Sequence, residues 1–188
     1  MNIQYVNNMS DENIELVLLG FLINKPKHGY EIFKEVSNPN GIGNVYRIKI
    51  GKMYSILKKF EEKDYIFSKT IHEGKRPPKN LFNLTKKGEI AFESWMVNPI
   101  THGRDFRILF LLKLFFIKSS KKINGLTLIS SQKIECEEWA KRIKLLIINE
   151  NGITEYQRIV KQYRLSQVEG YINWLDWCER TVNEKNNI

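Results

Sequence analysis

Between Lys49 and Thr85 the chain changes its hydrophobic period twice, and few folds accommodate that order. Apolar side chains first recur at Ile50, Met53, Tyr54, Leu57 and Phe60, three or four residues apart. That spacing predicts a helix over Ile50–Lys63 with one buried face. Lys49, Lys52, Ser55, Lys59 and Glu62 fall on the opposite face. Tyr65–Ile71 and Lys79–Leu84 then alternate as strands do. The intervening His72-Glu73-Gly74-Lys75-Arg76-Pro77-Pro78 must turn, because neither proline has an amide proton to give to a ladder.

A basic helix followed by a basic-tipped hairpin is the winged-helix arrangement. Its helix lies in the DNA major groove, and its hairpin tip reaches toward phosphate or the minor groove. Charge supports that reading over a merely solvated face. Positions 47–87 hold twelve Lys or Arg against four acidic residues, a surplus of eight out of the chain's net +9. The remainder of the chain is close to neutral. A basic excess confined to about a fifth of the chain suits a polyanion, since each neutralised phosphate releases counterions.

The length of 188 residues suits one or two small domains with a real core, and 42% hydrophobic content excludes a disordered chain. Cys136 and Cys178 are far apart with no histidine nearby, so they read as buried thiols in a reducing, cytoplasmic setting. The polar start, Met1–Ser10, carries no secretory signal. The most apolar run, Phe106–Ile117, includes Lys113 and falls short of the ~20 residues a bilayer needs, so it is expected to be a core helix and no membrane partner is expected. His28, His72 and His102 lie in separate segments without ligand-spaced partners. No metal, no cofactor and no catalytic site is therefore expected, and no nucleophile–base pair or phosphate loop is found.

Upstream, Ser10 is placed to cap a nearly all-apolar helix over Ile14–Ile23 that Pro26 ends. A second helix opens at His28-Gly29-Tyr30 and buries Ile32, Phe33 and Val36 before Asn38-Pro39-Asn40-Gly41. Downstream, Thr85 caps a helix that carries Ile90, Phe92, Trp95 and Met96 and stops before Pro99. Several of these stretches resemble the PadR-type transcriptional regulators. Leu18-Leu19-Gly20-Phe21-Leu22 with His28-Gly29-Tyr30-Glu31-Ile32 looks like that family's opening motif, and Met53–Glu62 looks like its recognition helix. Gly74-Lys75-Arg76-Pro77-Pro78-Lys79 with Leu84-Thr85-Lys86-Lys87-Gly88 is similar to its wing signature. Asp64 stands where the family usually has glycine, and Phe82 where tyrosine is common.

Beyond Pro99 the pattern is of long helices: Asp105–Lys118, Ile123–Asn149 and Ile153–Val182. The second repeats Ile129, Gln132, Cys136, Trp139, Ile143 and Leu146 three and four apart, and Asn151-Gly152 breaks it. The third carries Tyr156, Val160, Tyr163, Trp174 and Trp177 beside a flanking row of Val168, Tyr171, Leu175 and Cys178. A two-helix hairpin is too thin to bury both stripes, so a second copy of the chain is the expected cover. The resemblance implies the same, since larger members dimerise through such a region.

The expected fold is mainly α, an α+β winged helix-turn-helix domain at residues 1–99 joined to an all-α dimerisation domain at 100–188. The expected function is a sequence-specific DNA-binding regulator, a dimeric repressor on a two-fold operator. The competing class is a winged-helix module that holds protein partners, which would show a mixed-charge helix face. Candidate DNA contacts are Lys49, Lys52, Tyr54, Ser55 and Lys59 on the helix, with Lys75, Arg76 and Lys79 on the wing. His28 reads first as structural, although the matching family position lies near the DNA backbone; Tyr30 divides evenly between phosphate contact and packing. Trp95, Trp139 and Trp174 are read as core or interface residues ahead of the alternative, a pocket for a flat aromatic effector such as some relatives take.

Overall fold

The computed structural model describes residues 11–72, 78–117, 124–148, 152 and 154–186. These divide into two compact units. One takes the described residues of 11–98 with 105–117, and the other takes 99–104 with those from 124 onward.

In the first unit the chain begins with α1 (Asp11–Glu15) and α2 (Val17–Gly20), where a single helix over Ile14–Ile23 is expected. The interruption is at Leu16, whose carbonyl accepts the Leu19 amide at 3.1 Å in a tightened turn. Ser10, the expected cap, lies outside the described residues. A short strand, β1 (Lys27–His28), leads into α3 (Gly29–Val36). The Glu31 carboxylate accepts the His28 amide at 2.7 Å, satisfying a donor ahead of the helix start. A one-turn 3-10 helix at Ile42–Asn44 precedes α4 (Ile50–Glu62), and the hairpin β2 (Ile66–Ile71) and β3 (Lys79–Leu84) follows. The sheet is antiparallel in the order β1-β3-β2, with Lys27 opposite Phe82 and Ile66 opposite Leu84.

The base of the wing is held by a cluster of hydrogen bonds. Thr85 caps α5 (Lys86–Val97) by accepting the Gly88 amide at 3.0 Å. The Thr85 amide donates to the Tyr65 carbonyl at 3.0 Å, and its hydroxyl lies 2.8 Å from the Asp64 carbonyl. A Cβ on Gly88 would sit 2.0 Å from that Tyr65 oxygen, so only glycine fits where α5 crosses the hairpin.

The end of α4 explains what Asp64 does. Asp64 has φ +59°, the left-handed region in which glycine carries no steric cost. Its amide reaches the Glu61 carbonyl at 3.0 Å, while the Tyr65 amide reaches Phe60. Aspartate tolerates this conformation better than most side chains, so the turn survives.

The core of this unit joins Val17, Leu18, Leu19, Ile32, Val36, Met53, Leu57, Phe60, Phe92 and Met96. The helix α6 (Gly103–Phe116) contributes its later turns to the same core: Phe116 meets Phe21 and Phe92 edge-on at 5.2 and 5.5 Å. Sequence pattern alone groups this helix with the long helices, whereas its phenylalanines pack on α2 and α5. Lys113 is buried within it at 3% exposure; its ammonium donates to the Asn98 carbonyl and lies 5.3 Å from the Trp95 ring. Burial pushes that amine down from 10.5 to about 8. Ile90 is exposed because α5 turns Phe92, Trp95 and Met96 to the core.

In the second unit α7 (Gly125–Ile148) packs antiparallel on α8 (Glu155–Asn186). Gln132 is fully buried, and its amide both accepts from Ile100 N–H at 2.7 Å and donates to Ile100 C=O at 3.0 Å. Lys144 pairs with Glu169 at 3.0 Å between the two helices. The stripe of α7 is buried through Ile129, Cys136 and Trp139, but Leu146 near its end is exposed. In α8 it is the flanking row that is buried at Val168, Leu175 and Cys178, with Tyr171 half-buried and Leu165 extending the row one turn earlier, whereas Tyr156, Tyr163 and Trp177 are exposed. Both rows have helical spacing, and only the partner helix decides between them. Both cysteines are free and buried, and burial raises the Cys136 thiol to about 11. No described helix is long and apolar enough to cross a membrane.

Candidate nucleic-acid interface

The buried side of α4 is Met53, Ile56, Leu57 and Phe60. It is rotated from the expected stripe: Ile56 is inside, while Ile50 and Tyr54 are 44% and 43% exposed. The physical cause lies in α3. The Tyr54 ring lies over Gly29, where an added Cβ would come within 2.6 Å of it, so Tyr54 rests on a neighbouring helix start instead of entering the core.

Solvent therefore meets Lys49, Ile50, Gly51, Lys52, Tyr54, Ser55 and Lys58 over the first turns of the helix. Lys49 itself is extended and caps the helix geometrically, with its carbonyl accepting the Met53 amide at 3.0 Å. Nothing lies within 4 Å of the position a Gly51 Cβ would take, so a partner's surface can approach the backbone there. Free helix-start amides and the surrounding lysines make this end electropositive.

The expected contacts do not all share one environment. Lys49, Lys52 and Ser55 are exposed on this face. Lys59 is half-buried and donates to Glu15 at 2.6 Å, so its charge is already matched inside the protein. Tyr30 is 68% exposed at the start of α3, which favours contact over packing. His28 is structural in its geometry: its Nδ1 lies 3.1 Å from the Asn80 carbonyl, tying α3 to β3. Lys79 is exposed on the second wing arm, whereas Lys75 and Arg76 lie outside the described residues.

Three positions escaped the sequence reading. Lys58 is exposed one turn beyond Tyr54, and Lys69 is exposed on β2 with its ammonium 5.6 Å from the Phe67 ring. Ile50 is the third, counted as core because it fits the helical period. Charge alone signals the two lysines; nothing in the sequence signals Ile50.

The three tryptophans do not converge within either unit. Trp95 is in the first, 5.8 Å from the Phe92 ring and beneath Lys113. Trp139 and Trp174 are in the second, with Trp139 Nε1 donating to Glu135 at 2.6 Å. A cleft of about 370 Å³ in the first unit is lined by Leu22, Pro26, Phe67, Leu84, Lys86 and Glu89 among others, and by no tryptophan. Among the described residues no cluster of three or more His, Cys, Asp or Glu could hold a metal ion.

Residues 18–94 match the transcriptional regulator PadR-like family. The negative transcriptional regulator PadR of Bacillus subtilis (strain 168) is 26% identical over 107 residues, which is 55% of this chain and 56% of that protein. The chain thus spans about half the length of this curated relative. The crystal structure of B. subtilis PadR with operator DNA aligns with 88% of this chain and 97% of that one, at 20% identity and a TM-score of 0.46. The same protein with p-coumaric acid aligns over 93% and 98%, at 18% identity and a TM-score of 0.39.

Proposed function

We propose that this chain, whose residues 18–94 form a PadR-like domain, is a dimeric DNA-binding repressor that lays α4 into the major groove of a two-fold related operator. The observation that carries the reading is the outward face of α4. Lysines that pair with no described carboxylate (Lys49, Lys58) share it with groups that suit base edges (Lys52, Ser55) and with an open glycine. Lysine can donate to guanine O6 and N7, and serine can bond to any base. Met53, Leu57 and Phe60 on the other side fix the tilt of the helix.

In this reading Lys49, Lys52, Tyr54 and Ser55 face the groove, while Tyr30, Lys58 and Lys79 meet the backbone. Lys75 and Arg76 join the backbone contacts from the wing tip, and His28 supports the wing. The first unit reads DNA, with most of α6 serving its core, and the second unit joins two copies through the exposed apolar rows of α7 and α8. Any flat effector falls to Trp139 and Trp174, since Trp95 is already covered by Phe92 and Lys113.

The test is an electrophoretic shift with the duplex upstream of this protein's own gene against a scrambled duplex. The upstream duplex should be retarded at lower protein concentration. Equal retardation of both, or none of either, would refute sequence-specific binding.

A further inference from the structure

Glu15 ends α1 with its side chain only 4% exposed, against the flank of α4. One oxygen lies 2.6 Å from Lys59 Nζ and the other 3.4 Å from Lys52 Nζ. The lysines are seven residues apart, about two turns of helix, so one carboxylate spans the edge of the basic face. A buried carboxylate needs a cation beside it, and half-buried Lys59 fills that need. Lys52 stands differently: its side chain is 53% exposed and its ion pair is the longer one, so it is the charge that can leave.

Resting on the DNA-binding reading, we propose that Glu15 is a positioning residue that competes with phosphate for Lys52 and Lys59 and so restrains sequence-independent binding. Non-specific affinity is essentially all phosphate contact, and a fixed negative charge at the rim of the face subtracts from it directly. Operator binding also draws on contacts from Lys49, Tyr54 and Ser55, none of which Glu15 touches, and it gives Lys52 a base edge where random DNA offers it only phosphate. The carboxylate therefore widens the gap between operator and random DNA.

The experiment measures binding of full-length wild type and Glu15→Gln to operator and random duplexes by fluorescence anisotropy across a salt series. Glu15→Gln should bind random DNA several-fold more tightly at low salt, with the log–log salt dependence steeper by about one unit per lysine released. The operator-to-random ratio should narrow. Glu15→Leu with Lys59→Met removes the buried pair together, keeps the packing apolar, and should steepen the salt dependence by only about one unit, that of the released Lys52, against about two for Glu15→Gln. Should Glu15→Gln fold poorly, Glu15→Asp is the second arm: its shorter carboxylate withdraws from Lys52 first and should give a smaller gain of the same sign. A folded Glu15→Gln protein with unchanged or weaker affinity for random DNA overturns the proposal and leaves Glu15 a structural anchor. Failure of wild type to bind any duplex would instead remove the DNA reading itself.

Discussion

The Tyr65 amide donates to the Phe60 carbonyl at 2.8 Å, and the two rings lie 5.8 Å apart across the left-handed Asp64. Together with the Asp64 amide on Glu61, this is a Schellman closure with its apolar clasp, and it fixes where α4 stops and the β2–β3 hairpin begins.

Asp64 is the weak point of that closure. An L side chain in the left-handed region is strained, and a carboxylate sits badly at the negative end of a helix. Asp64→Gly should stabilise the protein by about 0.5–1 kcal/mol, the relief of strain exceeding the added freedom of the unfolded chain. Asp64→Asn, which removes the charge alone, should gain less. Urea titrations of the three proteins check this, and an Asp64→Gly protein less stable than wild type would count against it.

Lys113 should make stability depend on pH in an unusual direction. Its folded-state value of about 8 lies below the unfolded 10.5, so the native state resists protonation. The penalty, about 3 kcal/mol at most, is full below pH 8 and fades as pH rises toward 10.5. Lys113→Met should then be more stable than wild type at pH 7, by about 1–2 kcal/mol after the lost bond to Asn98 is deducted. Denaturation at pH 7 and near pH 10 should show that advantage shrinking; an advantage that grows with pH would contradict the assignment.

The outward row at the start of α8 should be an interface. Tyr156, Ile159 and Tyr163 are each at least 60% exposed and lie three and four residues apart. Light scattering should report about twice the 22.3 kDa chain mass. Ile159→Glu with Tyr163→Glu should shift it toward a single chain while circular dichroism stays helical. A wild type that is monomeric at micromolar concentration would remove this surface from consideration.

Ile50 should contribute to sequence choice by contact with a thymine methyl, the apolar feature of the major groove. Replacing operator thymines by uracil one at a time deletes only that methyl. One position in each half-site should cost wild type about fourfold in affinity, in line with one buried methyl group. The same replacement should cost Ile50→Ala almost nothing. If every uracil were tolerated equally by both proteins, Ile50 would be an incidental surface residue.

The elements visible in the sequence were those with a local cause. Thr85 caps α5 because its hydroxyl meets the Gly88 amide, and the prolines at 77 and 78 leave a hairpin as the only way between two alternating runs. What stayed hidden depended on distant partners. The rows through Ile50 and through Ile56 have the same helical spacing, and Tyr54 resting on Gly29 chooses between them. The two rows of α8 are likewise equivalent until α7 covers one. β1 is two residues long, too short to show any alternation, and exists only because β3 is beside it. In the interface, charge revealed the lysines but not that Lys59 is already matched by Glu15.

Because β1 pairs with β3, Lys27 and His28 must wait for residues more than fifty positions later in the chain. During synthesis the segment from α1 through α3 leaves the ribosome without the strand that seats it. β1 cannot pair until Phe82 has cleared the exit tunnel. Stalled chains ending near residue 78 should therefore be cut readily by protease within residues 11–36, and protection should arrive in one step once the second wing arm is exposed. Protection of that segment on the shorter chains would mean that the helices assemble without it. The order of emergence, helices first and their seat last, makes the unfinished domain a client for whatever guards nascent chains.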